Sequence, residues 1–148
     1  IFAIGGVLAL AKNTDPLIGV AQEVTAVMTP VLIIQIKLAV VALFLTNAFL
    51  KFVWANRVFG YCAVLMAAVP NDPNDLISYP RAAQAAELNI RAAINFNRGL
   101  RAVYFALGAL AWLLGAVPLM ISATVVIWVV GSREFASVPR DILLKEDP

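Results

Sequence analysis

Long apolar runs alternate along this chain with short polar breaks, and the length of each run decides what it can become. Residues 1–11 read IFAIGGVLALA and carry no charge. That is about half of the roughly 20 residues that an α-helix needs to cross a bilayer. The run is therefore expected to be the end of a span whose beginning precedes Ile1. Lys12, Asn13 and Thr14 break it. Asp15 then suits a helix N-cap, with Pro16 at the first helical position. Leu17, Val20, Ala21 and Val24 recur at helical spacing while Gln22, Glu23 and Thr25 turn away. This pattern predicts an amphipathic interfacial helix over about 16–28.

Thr29 and Pro30 open the next element. Residues 31–50, VLIIQIKLAVVALFLTNAFL, are long enough to span. No proline interrupts the continuation KFVWANRVFGYCAVLMAAV. At about 1.5 Å per residue such a helix outruns a hydrocarbon core of about 30 Å. Residues 70–80, PNDPNDLISYP, hold three prolines and two aspartates and predict a turn, in which Asp72 and Asp75 serve as turn formers.

Arg81 is expected to open the following helix. Gln84, Glu87, Arg91, Asn95 and Arg98 form its polar stripe, with Glu87 and Arg91 spaced to pair. Ala82, Ala86, Ile90, Ala93 and Phe96 are the residues expected to meet the second half of the preceding helix. Residues 102–117 then turn apolar, and Gly115 to Pro118 reads as a tight reversal with Pro118 starting the last helix. The expected fold is all-α, a single polytopic transmembrane helical bundle over residues 1–148. Its spans fall at about 1–11 (partial), 31–50, 102–117 and 118–132, with four expected in the full length. A cytoplasmic helical hairpin over about 51–101 extends the second and third of them.

Composition agrees with the patterning. The chain is 62% hydrophobic and 14% charged, with a mean hydropathy of +0.89. Soluble domains run at about 45–50% apolar and about 25% charged, and a small fold cannot hide so large an excess. The net charge of +2 gives no support to a nucleic-acid partner. Of the eleven lysines and arginines, only Lys12 and Lys37 fall on the side opposite the 70–80 turn. The positive-inside rule then puts the hairpin and the C-terminus in the cytoplasm, and a bacterial inner (cytoplasmic) membrane is the expected location. Lys37 is expected to snorkel outward.

Candidate chemistry is sparse. With no histidine and a single cysteine, the commonest general base and the usual zinc ligands are missing. Cys62 reads as a small buried residue. No catalytic residue, metal ligand or cofactor is assigned. Two groups stand out at the membrane boundary. Lys51, Trp54 and Arg57 share a face with Asn47, which sits deeper and is expected to bond within the bundle. Asn97, Arg98 and Arg101, with Asn95, approach the same level from the next helix. Cations so gathered call for an anion, either an anionic phospholipid or an acidic protein partner. Glu134 is the best internal counter-ion. Gly5 and Gly6, and the stripe of Gly99, Ala102, Ala106 and Ala109, are expected to let helices pack closely.

Three blocks, LKFVWANRVFGYCAVLMAAVP, FNRGLRAVYFALGALAWLLG and WVVGSREFAS, together resemble the membrane-protein family catalogued as domain of unknown function 599. The resemblance covers nearly the whole chain. It implies a four-helix protein of bacterial inner membranes, with plant relatives, whose first span and a basic stretch would precede Ile1. Where the family has two tyrosines after the arginine of the third helix, Val103 here precedes Tyr104. The resemblance implies no activity. The expected function is that of a non-enzymatic accessory or assembly subunit. It would pack against a larger membrane complex, with respiratory and photosynthetic complexes as candidate hosts. The alternative is a small-solute transporter or channel, for which Thr46, Asn47 and Thr124 would have to line the path. A lipid-modifying enzyme at the Lys51/Arg101 boundary is a third and weaker reading.

Overall fold

The computed structural model describes residues 1–25 and 30–135. Helix accounts for 88% of these residues, and none lies in a strand. The order is α1 (Phe2–Lys12), α2 (Asp15–Thr25), α3 (Val31–Ala67), α4 (Ser78–Leu110), a 3₁₀ segment (Ala111–Leu114) and α5 (Ala116–Phe135). Two of these helices are long and apolar enough to cross a membrane, α3 and the Ala116–Arg133 stretch of α5. The 16–28 helix is described as far as Thr25, and its last residues lie outside the described ones.

Several boundaries differ from the sequence reading, each for a local reason. α2 starts at Asp15, one residue early, because the Thr14 carbonyl already accepts from the Leu17 and Ile18 amides. α4 starts at Ser78, three residues ahead of Arg81. The Asp75 carboxylate accepts from the Ile77 amide, and the Ser78 hydroxyl donates to the Asp72 carbonyl at 2.7 Å. Pro80 fits inside the helix because the first-turn amides have no helical acceptor to lose. The predicted 102–117 span is divided among the end of α4, the 3₁₀ segment, Gly115 and the first residues of α5. Gly115 makes the reversal at φ 128°. α5 therefore begins at Ala116, and Pro118 sits within its first turn rather than at its start.

The described residues form two compact units, one within 1–44 and 104–135, and the other Leu45–Val103. In the first, Ile34, Leu38 and Val41 of α3 are fully buried, and Phe44 lies 6.2 Å from Phe105 between ring centroids. The 3₁₀ segment packs against α2 and α5. Lys37 does not snorkel. It is 9% exposed, and its Nζ donates to the Trp112 carbonyl at 2.8 Å, beside the Trp112 ring. The Trp112 carbonyl also accepts from the Gly115 amide, and the C-terminal end of a helical segment is a favourable place for a cation. α4 and α5 meet closely at Gly108, where an added Cβ would lie 3.3 Å from Val126. The Ser122 hydroxyl donates to the Gly108 carbonyl at 2.9 Å.

In the second unit, the later part of α3 and the earlier part of α4 pack on small residues spaced by sevens. Ala48, Ala55 and Cys62 are buried on α3; Ala85, Ala92 and Gly99 are buried on α4. A seven-residue step keeps one seam of each helix against the other, and small side chains let the backbones approach. Cys62 Sγ lies 3.2 Å from the Ala85 carbonyl. Phe52 lies 5.2 Å from Phe96, and the Arg81 guanidinium donates to the Ala68 carbonyl at 2.8 Å. Numbers rise along one helix as they fall along the other, so the pairing is antiparallel. A Cβ on Gly99 would come within 2.8 Å of the Phe52 ring, which is why glycine stands there.

This seam differs in part from the one read from the sequence, although Phe96 meets Phe52 of α3 as expected. Ala82, Ala86 and Ala93 are exposed, because a run so rich in alanine leaves the choice of face to the partner helix. Of the predicted small-residue stripe, Ala102 and Ala106 are buried and Ala109 is half-buried. A Cβ added at Gly5 or Gly6 would meet nothing within 4 Å, so neither position needs glycine for a close approach among the described residues.

Candidate functional site

The charged boundary is built on the second unit. Lys51 is half-buried, while Trp54, Arg57, Asn97, Arg98 and Arg101 are exposed. Residues 51, 54, 58 and 61 follow one another at steps of three and four, as do 87, 91, 94 and 98, so each set forms a stripe beside the buried seam. Between the two stripes runs a groove of about 630 Å³, whose lining includes Trp54, Val58, Tyr61, Ile90, Ile94 and Arg98. The structure thus brings Trp54 and Arg98 together. Tyr61, Ile90 and Ile94 are groove residues that the sequence reading missed. The spacing that relates them to Trp54 and Arg98 was available, but it identifies a groove only once the seam is known.

Charge is unevenly satisfied around this groove. Arg91, also in the lining, pairs with Glu87 at 2.6 Å, as the i,i+4 spacing predicts. Arg57 is turned along its own helix, with Nε donating to the Tyr61 hydroxyl at 2.6 Å. Among the described residues, the side chains of Lys51, Asn97 and Arg98 make no hydrogen bond or ion pair. Asn47 is exposed rather than bonded inside a bundle, because the neighbouring Ala48 takes the buried position and the next residue on a helix points about 100° away. The side chain of Glu134, the expected counter-ion, lies outside the described residues.

The opposite side of the pair carries a smaller groove of about 380 Å³, lined by Cys62, Met66, Val69, Ala82, Ala85, Ala86 and Asn89. In the first unit, Arg133 donates to the Tyr104 hydroxyl at 2.5 Å and lies over its ring. Among the described residues there is no group of three or more histidine, cysteine, aspartate or glutamate side chains able to hold a metal ion. The arrangement around the main groove is suited to binding, with aromatic and branched side chains along its walls and cations at one end.

No curated protein and no solved structure matches the chain. The profile of the family described as "Protein of unknown function, DUF599" matches residues 1–139, and the chain belongs to that family.

Proposed function

We propose that this protein is an integral protein of a bacterial inner membrane that serves as an accessory or assembly subunit, packed against a larger membrane complex. One observation carries the reading, the exposed apolar face that α3 and α4 share beyond residue 50. The 37 residues of α3 would measure about 55 Å at 1.5 Å per residue, against about 30 Å for a hydrocarbon core. With residues 31–50 in the bilayer, the rest of α3 extends beyond it. Beyond Trp54 that extension exposes Tyr61, and the facing part of α4 exposes Ile90 and Ile94, which line the main groove with it. A contiguous apolar face of this kind on a water-facing helix pair marks a contact surface. A neighbouring subunit would cover it.

The orientation rests on charge. The turn between α3 and α4 lies on the side that holds most of the lysines and arginines, and the positive-inside rule makes that side cytoplasmic. Support for a channel is weaker. Thr46 and Asn47 lie on exposed faces of α3, and the Thr124 hydroxyl donates to the Met120 carbonyl of its own helix. Extraction of native membranes in mild detergent, followed by the mass and composition of the purified particle, tests the proposal. Partner subunits in fixed stoichiometry are expected. A clean monomer or homo-oligomer would overturn it.

A further inference from the structure

The end of the main groove nearest residue 50 gathers what an anionic headgroup needs. The pairs 52 with 96, 62 with 85 and 68 with 81 give the register of the two helices. That register places Lys51 level with residues 96–98 of α4. Trp54 stands one helical turn from Lys51 and shares the groove with Arg98. Lys51 and Arg98 have no partner among the described residues, whereas Arg57 and Arg91 are each held by a side chain one turn away. Two cations at one level repel each other unless an anion lies between them.

The surroundings say which anion. In sequence, α3 carries no charge over residues 38–50 and α4 none over residues 102–110. Leu50 is 59% exposed and Val53 49% exposed, so both have surface available to an acyl chain. Trp54 is 53% exposed, and an indole with an apolar body and a polar N–H settles at the headgroup level of a bilayer. An acidic side chain from a protein partner would satisfy the cations but would leave Leu50 and Val53 without a role. We infer that Lys51, Arg98 and Trp54 form a site for one anionic phospholipid. Its phosphate lies between the two cations, the indole sits beside the headgroup, and the chains lie along Leu50 and Val53. The inference rests on the membrane placement proposed above and is independent of any partner subunit.

The test is native mass spectrometry of the purified full chain, offered phosphatidylglycerol or phosphatidylcholine with identical acyl chains, and separately glycerol phosphate. Phosphatidylglycerol should be retained at one equivalent, at least about tenfold more tightly than phosphatidylcholine. Lys51→Gln and Arg98→Gln should each remove that preference, with Arg98→Lys keeping most of it. Lys12→Gln, which deletes a charge elsewhere, should leave it unchanged. Helical content by circular dichroism confirms that each variant is folded. Equal retention of the two lipids, equal loss in Lys12→Gln, or binding of glycerol phosphate as tight as that of the lipid would each overturn the site. So would an acidic polypeptide that stays bound in place of the lipid and is lost in Arg98→Gln. A protein that needs no detergent for extraction would overturn the membrane placement itself, and a site failing in a protein that does need it would refute the lipid alone.

Discussion

Gly115 joins the 3₁₀ segment to α5 with φ 128° and ψ −177°, a region where a Cβ collides with the backbone. Gly115→Ala should therefore cost about 1–3 kcal/mol, read as a lower unfolding temperature in detergent; an unchanged midpoint would show that the reversal tolerates a side chain. The turn itself was legible, since glycine beside proline is a strong break signal. The position of Pro118 was not, because a proline fits anywhere in the first helical turn and so does not mark the first residue. Other residues divide in the same way. The Glu87–Arg91 pair follows from spacing on one helix. Lys37 depends on a carbonyl 75 residues away, and nothing near it in sequence announces that acceptor.

The seam between α3 and α4 shows at the scale of elements what patterning can and cannot decide. Alanines at 82, 85, 86, 92 and 93 offer several stripes of nearly equal hydrophobicity, so periodicity alone does not choose a face. The choice comes from seven-residue steps that match on both helices, 48–55–62 on α3 and 85–92–99 on α4. Ala92 is fully buried and Ala93 is exposed. Ala92→Leu should push the helices apart and destabilise by about 1–3 kcal/mol, while Ala93→Leu should stay within about 0.5 kcal/mol of the parent. Chemical denaturation in a fixed detergent compares them. Equal effects would mean that the seam lies elsewhere. The groove of Trp54 and Arg98 was hidden for the same reason, since it is the strip adjoining a seam that sequence alone does not place.

Across the whole molecule, composition and run length foretold the helical fold of the described residues and two of the expected spans, α3 and α5, because both depend on sums that single residues barely alter. What the exposed face of α3 and α4 meets is a property of another molecule, and no residue of this chain encodes it directly. The proposal is that a protein covers that face. Ile90 is 58% exposed and lines the groove, on the stretch of α4 that would lie beyond the bilayer. The most direct measurement places a photo-crosslinking amino acid at position 90 of the full chain, irradiates intact cells, and identifies the adducts. The account predicts one dominant adduct with a single membrane-complex subunit, lost when Tyr61, which lines the groove with Ile90, is replaced by Glu. Adducts only with lipid, with a second copy of this chain, or with no molecule at all would contradict it.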